Sequence, residues 1–227
     1  QEQAHQLKLA ALGRLTANIA HEIRNPLSAI SHASELMLEE QRGPPQDRLL
    51  HIIQDNSKRL DRMVRNVLEL SRRDRVHAET IRLSVFLPSF IDEFAQIERI
   101  PGSSFALQVH EASEIVFDRV HLQQVLWNLL RNAWRHSRQR EASVRVVVKR
   151  QGNRVELDVI DDGEGVPTHL RQQLFEPFFT TYSGGTGLGL YIAREMCAAN
   201  AAILEYVEPP AQAGGADFRI LCGGRPA

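Results

Sequence analysis

The sequence predicts an α+β protein, in which an N-terminal antiparallel helical hairpin is followed by an α/β sandwich domain. Two successive stretches carry apolar residues in alternating steps of three and four, which is typical of helices that bury one seam. From residue 80 onward, short runs of period two alternate with further helical stretches. The charged stretch 71–79 has neither pattern, so we place the domains at 1–75 and 80–227, with a hinge at 76–79.

The first helix is predicted to have one apolar seam and one polar face. Apolar or small residues occupy the seam positions 12, 19, 23, 26, 30, 33 and 37. His21 lies off this seam, and Asn25 follows it on the same exposed face. Pro26 removes the amide that would bond the carbonyl of Glu22, so we expect the helix to bend there. Taken alone, His21 would be interpreted as a solvated helix histidine.

A segment with one glycine and two prolines, 41–47, is predicted to be the turn into the second helix. The second seam contains Leu49, Ile53, Asn56, Leu60, Met63, Val67 and Leu70. Two helices cannot bury both seams alone, so we expect a homodimer whose two hairpins form a four-helix bundle, with the polar Asn56 fixing the register. The alternative is a monomer whose hairpin packs on its own downstream domain.

The second domain is predicted to contain strands and helices in alternation, which favours one sheet covered by helices. The predicted strands are 81–87, 105–109, 144–148 and 155–159, and the predicted helices are 88–97, 118–136 and 187–199. Asp118 is well placed to cap the second of these helices. The segment 209–215 is predicted to be a loop between two final strands.

Composition indicates an ordinary globular chain of 227 residues, because 43% of them are hydrophobic. The formal net charge is only −1, so we expect no direct nucleic-acid binding and no membrane contact. Cys197 and Cys222 lack paired spacing and are predicted to be reduced core thiols. We find neither an apolar run of membrane-spanning length nor a signal peptide, and we expect a cytosolic fragment.

A polar stripe follows one face of the predicted helix 118–136. It comprises positions 124, 128, 132, 135 and 136, and the opposite face is apolar. The stripe could be a solvated surface, but paired asparagines are weak helix formers, which favours a ligand role. An amide oxygen suits Mg²⁺, and Arg135 and His136 can meet phosphate charge, so the stripe suits a metal triphosphate.

Two glycine-containing segments complete the candidate site. The predicted strand 155–159 leads into an acidic turn in which Asp161 can accept a hydrogen bond from an amino group. An ordinary turn without a ligand is the alternative. Further along, Gly185, Gly187 and Gly189 lead directly into a helix, whose free amides can cradle phosphates. This segment lacks the Gly-Lys-Ser/Thr of a Walker A loop and the spacing of a dinucleotide fingerprint.

The motifs together resemble those of sensor histidine kinases, in family order and across essentially the whole chain. His21-Glu22-Ile23-Arg24-Asn25-Pro26-Leu27 resembles the H-box, and the run around Asn128 and Asn132 resembles the N-box. Asp161-Asp162-Gly163-Glu164-Gly165 is similar to the G1 box. Leu174-Phe175-Glu176-Pro177-Phe178-Phe179-Thr180-Thr181 and Gly184-Gly185-Thr186-Gly187-Leu188-Gly189-Leu190 are similar to the F-box and the G2 box. The resemblance implies that the F-box and the G2 box bracket a mobile lid over ATP. The H-box and this lid look most like those of nitrogen-regulation and pilus-regulation sensor kinases.

The resemblance implies a dimeric core that binds ATP and Mg²⁺ and phosphorylates its own histidine. His21 would accept the phosphoryl group, Glu22 would polarise its imidazole, and Asn25 would orient a water in a phosphatase reaction. Asn132 would hold the magnesium. The nucleotide would be bound by Asn128, Asn132, Arg135, His136, Asp161, Gly163, Gly165, Thr186, Gly187, Leu188 and Gly189. Asp161 would accept from the exocyclic amine of adenine, and Gly163 and Gly165 would let the backbone approach the base.

The implied partner is the receiver domain of a response regulator, whose aspartate would take the phosphoryl group from His21. The implied location is the cytoplasm, as the catalytic part of a protein anchored in the bacterial inner membrane. Tyr182 stands where many relatives have a lysine or arginine, which removes one expected contact between the lid and the phosphates. Two alternatives are an ATPase of the gyrase or chaperone type, and a dimeric scaffold that binds ATP without transferring phosphate.

Overall fold

The computed structural model describes residues 23–37, 44–72, 76–110, 113–182, 185–208 and 214–223. These residues fall into two compact units. One contains the described residues of 1–69 and 176–188, and the other contains those of 70–175 and 189–227. In the described part of the chain, no helix has the length and apolar character needed to cross a membrane.

The first unit contains the helical hairpin. Helix α1 is described over 23–37, and helix α2 runs from Pro44 to Arg72. Ala33 and Met63, one from each predicted seam, are buried. The prolines predicted to lie in the turn instead open α2, because a helix needs no intrahelical amide bond in its first turn. The side chain of Asn56 donates to the carbonyl of Ile52 in its own helix at 2.8 Å.

The second unit begins with a two-stranded antiparallel sheet, formed by β1 (Ala78–Arg82) and β3 (Glu114–Asp118). Helix α3 (Leu83–Glu98) follows β1 directly. The strand predicted over 81–87 is therefore wrong beyond Arg82. The alternation of apolar residues there is outweighed by helical spacing, since α3 buries Leu83, Phe86, Leu87, Phe90, Ile91 and Phe94 and carries Pro88 inside it.

In the described part of the second unit, five strands form a mixed sheet. They are β2 (Phe105–Val109), β4 (Val144–Gln151), β5 (Arg154–Asp161), β6 (Ile203–Val207) and β7 (Asp217–Gly223). The order is β2-β4-β5-β7-β6, in which β2 and β4 are parallel and the other neighbours are antiparallel. This confirms the predicted α+β class.

Helices α4 (Arg119–His136) and α5 (Gly189–Ala199) pack on each other, α4 also against β5 and α5 against β6. Their buried side chains include Leu122, Leu126, Leu129, Leu130, Ile192 and Met196. The buried side chains of the sheet include Val144, Val146, Val148, Val155, Leu157, Val159, Phe218 and Ile220. Asp118 caps α4, and Cys197 and Cys222 are free, buried thiols, all three as predicted. Burial raises the pKa of Cys222 to about 12, so this thiol stays protonated.

Candidate functional site

The described residues contain part of the predicted site. His21 and Glu22 lie outside them. Asn25 is exposed on α1, as its predicted position on the polar face requires. The nucleotide residues predicted between 128 and 165 and at Gly189 all lie in the second unit, whereas Thr186, Gly187 and Leu188 lie in the first.

The polar face of α4 contains two asparagines with unused hydrogen-bonding groups. The side-chain nitrogen of Asn128 is buried and has no hydrogen-bond partner among the described residues. Asn132, one turn further along, is half-buried and makes no side-chain hydrogen bond within the described part of the chain. A methyl group at Gly189 would lie 3.6 Å from Oδ1 of Asn128, so the start of α5 closely approaches this face. The buried, unpartnered nitrogen of Asn128 indicates a place for a polar ligand beside this face.

Asp161 ends strand β5 in a buried position, with only 4% of its surface exposed. Its Oδ1 accepts from the amides of Gly163 at 2.9 Å and Ala216 at 3.2 Å. Its Oδ2 accepts no hydrogen bond from the described residues. Burial raises the pKa of Asp161, and the two amides offset only part of that effect. The second oxygen is thus available to a donor on a ligand.

Glycines allow the backbone to close around Asp161. A Cβ at Gly163 would lie 2.1 Å from the carbonyl oxygen of His136, and one at Gly215 would lie 1.8 Å from the carbonyl oxygen of Asp161. Gly165 has a φ of +79°, and a Cβ placed there would lie 2.6 Å from the carbonyl oxygen of Gly215. The turn after β5 and the segment before β7 therefore meet at distances that any side chain would prevent.

The end of α4 lies beside the same turn. Burial lowers the pKa of the His136 imidazole, the negative charge of Asp161 offsets part of this, and Arg135 lowers it further. The carbonyl of His136 thus lies so close to the Asp161 turn that only glycine fits at position 163. Sequence reasoning assigned His136 to phosphate charge and did not anticipate its proximity to Asp161.

The segment 176–188 has its own internal geometry. The amide of Phe178 donates to the carbonyl of Gly187 at 2.9 Å, and both residues have a φ of +67°. A Cβ at Gly187 would lie 2.2 Å from the carbonyl carbon of Phe178, so only glycine fits there. The hydroxyl of Thr186 accepts from the amide of Leu188 at 3.4 Å. The bond between Phe178 and Gly187 therefore joins the two ends of the segment 178–187 within the first unit.

Two features of the site were missed in the sequence. Gly215 was predicted only as the end of a loop, and Ala216 was given no role, yet the backbone of both residues lies against Asp161; the Gly-Gly pair before the last strand was the available signal. The role of Asp162 was also missed. It accepts from the Arg138 amide, the Arg140 guanidinium and the Ser143 hydroxyl, and these donors outweigh burial and lower its pKa.

Comparisons with known proteins find two family matches, one after the other along the chain. Residues 117–222 match the family described as histidine kinase-, DNA gyrase B- and HSP90-like ATPase. Residues 11–76 match the His Kinase A (phospho-acceptor) domain. The second unit thus contains an ATPase-type domain, preceded in the sequence by a phospho-acceptor region, and this pair of domains defines the core of a histidine kinase.

Individual relatives agree with this class. The sensor protein kinase PilS of Pseudomonas aeruginosa is 46% identical over 225 residues, which cover 96% of this chain and 42% of that protein. The sensor histidine kinase ZraS of Escherichia coli is 31% identical over 86% of this chain and 42% of that protein. The chain therefore spans less than half the length of these two relatives.

Solved structures give the same result. Histidine kinase ThkA, crystallised in complex with the response regulator protein TrrA, matches with a TM-score of 0.72 and 25% identity, over 97% of this chain and 64% of that one. The chain belongs to the sensor histidine kinases.

Proposed function

We propose that this chain is the catalytic core of a sensor histidine kinase, which transfers the γ-phosphoryl group of ATP to His21. The observation that carries the proposal is the single unused oxygen of buried Asp161, enclosed by glycines, in an ATPase-type domain that follows a phospho-acceptor region. That oxygen would accept a hydrogen bond from the exocyclic amine of adenine. Guanine has no donor at the same position, so this bond would select ATP over GTP.

The residues around the phosphates fit a magnesium nucleotide. The side-chain oxygen of Asn132 has no partner in the described residues and is a hard ligand of the type that Mg²⁺ prefers, so it would hold this ion. A bound Mg²⁺ would neutralise part of the charge on the phosphates. Arg135 would pair with phosphate oxygens, and the backbone amides from Thr186 to Gly189 would meet them at the start of α5. Asn128 would donate its unpartnered amide to the nucleotide or its water.

The reaction would form one P–N bond and break one P–O bond. A ring nitrogen of His21 attacks the γ-phosphorus, ADP leaves, and Glu22 accepts from the other ring nitrogen. The phosphoryl group would then pass to an aspartate of a response-regulator receiver domain. We also propose that Asn25 orients the water that removes phosphate from that regulator, and that Asn25→Ala keeps autophosphorylation and loses phosphatase activity; full phosphatase activity in this variant would contradict that role.

The proposed organisation follows the motifs. Residues 1–75 would form the dimerising phosphotransfer hairpin. The predicted hinge 76–79 overlaps β1, which begins at Ala78, so the hinge would end before that strand and the ATP domain would begin with β1. The hairpins of two chains would form a homodimer. We propose a cytoplasmic location for this core, within a protein anchored in the inner membrane.

The direct test is incubation with magnesium and γ-labelled ATP, comparing the wild type with His21→Ala. His32→Ala and His51→Ala are matched controls, because both histidines are exposed on the same hairpin. We expect label that survives alkali, is lost in acid and disappears only in His21→Ala. ATP binding without labelling would support the scaffold, and phosphate release independent of His21 would support the ATPase.

A further inference from the structure

Asp118 lies where β3 ends and α4 begins, and both of its carboxylate oxygens are occupied. Oδ1 accepts from the amides of Val120 at 2.9 Å and His121 at 3.1 Å, which is a helix cap. Oδ2 accepts from the amide of His77 at 2.7 Å. The second bond reaches 41 residues back along the chain, and a helix cap does not need it.

The bond to His77 extends the sheet contact by one residue. The ladder between β1 and β3 begins with the pair Ala78 and Asp118, so His77 is the first residue before it. The side chain of His77 is exposed, so burial does not hold this residue in place. The carboxylate of Asp118 therefore moves the point at which the linker joins the ATP domain by one residue toward the hairpin, from Ala78 to His77.

The same junction is connected to both helices of the candidate nucleotide site. The amide of Asp118 donates to Oδ1 of Asn200 at 2.7 Å. The Asn200 side-chain nitrogen donates to the carbonyl of Met196 at 2.8 Å and lies 3.0 Å from Nδ1 of His121. Asn200 directly follows α5, whose first residue, Gly189, approaches Asn128. We call the hydrogen bond between the His77 amide and Asp118 the anchor of the linker. The residues that support this anchor thus belong to or directly adjoin α4 and α5, the helices that carry candidate nucleotide residues.

From this geometry we propose that Asp118 is a positioning residue for phosphoryl transfer, which holds the His77 amide and so limits the orientations that the ATP domain can take relative to the hairpin. The inference rests on the proposed function. Freeing the linker at His77 would let the domain sample more orientations, which lowers the effective concentration of the γ-phosphate at His21. Nucleotide binding would be unaffected, because Asp118 lies at the opposite end of α4 from His136.

Asp118→Asn separates the two roles of this side chain. Asparagine caps helices as well as aspartate does, so the bonds to Val120 and His121 can remain, while its amino group would face the His77 amide as a second donor. We expect the autophosphorylation rate constant to fall about ten-fold, with the KM for ATP within about two-fold of wild type. Hydrogen exchange of the His77 amide should increase, and exchange in α4 should not.

Two further variants complete the experiment. Asp118→Ser keeps a capping oxygen but is too short to hold His77, so it should repeat the effect of asparagine. Glu79→Gln is the matched control, because it removes the ion pair with Arg119 beside the same junction and leaves the His77 bond intact. It should phosphorylate at the wild-type rate.

The possible outcomes are distinct. An unchanged rate in Asp118→Asn, or a loss that follows a matching rise in KM, would overturn the positioning role. If the wild type binds ATP without phosphorylating His21, the proposed function fails. The anchor is then judged by the exchange of the His77 amide alone, and unchanged exchange in Asp118→Asn would overturn it.

Discussion

Two buried aspartates at the ends of strands behave in opposite ways. Asp118, at the end of β3, is 5% exposed, and Asp161, at the end of β5, is 4% exposed. Burial raises the pKa of both, but the pKa of Asp118 is lowered overall by amide bonds from His77, His121 and Val120, whereas that of Asp161 remains raised. Asp118 uses both oxygens within the chain and Asp161 uses one.

We propose that this difference distinguishes a structural carboxylate, that of Asp118, from a ligand-binding one, that of Asp161. Three donors compensate for burying Asp118, so the protein itself stabilises that charge. Asp161 keeps one oxygen without a donor among the described residues, so this oxygen can accept a hydrogen bond from a ligand. Burial alone identifies neither role, and the count of protein donors on each oxygen does.

The largest effect should come from Asp161→Asn. The Oδ1 bonds to Gly163 and Ala216 can remain, but an amino group would replace the free oxygen and face the adenine amine as a second donor. We expect ATP affinity to fall about 100-fold, measured by calorimetry, with thermal stability at neutral pH unchanged or higher.

Asp162→Asn is the control for that prediction. Its carboxylate is occupied by Arg138, Arg140 and Ser143, so the variant should lose some stability and keep ATP affinity within about two-fold. If Asp161→Asn and Asp162→Asn reduced ATP affinity equally, the distinction between a free and an occupied carboxylate oxygen would be wrong.

Asp118→Ala should have the next largest effect, on stability. Removal of the carboxylate leaves the amides of His77, Val120 and His121 without acceptors and deletes the cap of α4. We expect the free energy of unfolding, measured by denaturant titration, to fall by about 2 kcal/mol. ATP affinity, measured well below the transition, should be unchanged; a parallel loss of binding would place Asp118 in the nucleotide site.

Gly163→Ala should have a smaller effect on the site. The new methyl group would meet the His136 carbonyl at 2.1 Å, so the turn that carries Asp161 must move. We expect ATP affinity to fall about ten-fold. At Gly102 a Cβ meets nothing within 4 Å, so Gly102→Ala should bind ATP like the wild type, and an equal loss there would contradict the steric explanation.

Asp217→Asn should give the smallest effect, and only at higher pH. Burial and the nearby charge of Asp158 raise the pKa of Asp217 to about 6, and its Oδ1 has no partner among the described residues. Because the pKa is higher in the folded protein than in the unfolded chain, ionisation of Asp217 destabilises the fold progressively between about pH 4 and pH 6 and fully above that. The pKa is kept from rising further by Arg219, Lys149 and Arg145.

We therefore expect Asp217→Asn to stabilise the second unit by about 1 kcal/mol at about pH 8. This gain is smaller than the free energy that corresponds to the pKa shift of Asp217, because the asparagine side chain still lacks hydrogen-bond partners. The gain should shrink as the pH falls and vanish near pH 4. Thermal melts across this range would check it, and a gain that grows toward low pH would contradict the assignment.

Local patterns in the sequence were sufficient for much of the fold. The predicted helix 118–136 with its Asp118 cap and the strands around 144–148 and 155–159 were confirmed, because each depends on neighbouring residues. The strand over 81–87 was wrong because helical and alternating spacing overlap there, and tertiary packing of α3 decides between them.

The contacts that complete the site are distant in sequence and could not be predicted from local patterns. Ala216 reaches Asp161 across 55 residues, and His77 reaches Asp118 across 41. The Asp118 cap predicted from the sequence is confirmed, and the assignment of Asp161 to a nucleotide site stays a prediction. The donors on each oxygen could not be predicted, because they depend on how β1, β5 and β7 meet their neighbours.

The most direct test of these assignments is a crystal structure of the chain with magnesium and a non-hydrolysable ATP analogue. We predict that the exocyclic amine of adenine lies within hydrogen-bond distance of Oδ2 of Asp161, that the Asn132 oxygen coordinates the metal, and that Asp118 keeps its bonds to His77, Val120 and His121. Adenine bound away from Asp161, with Oδ2 still lacking a donor, would contradict the account.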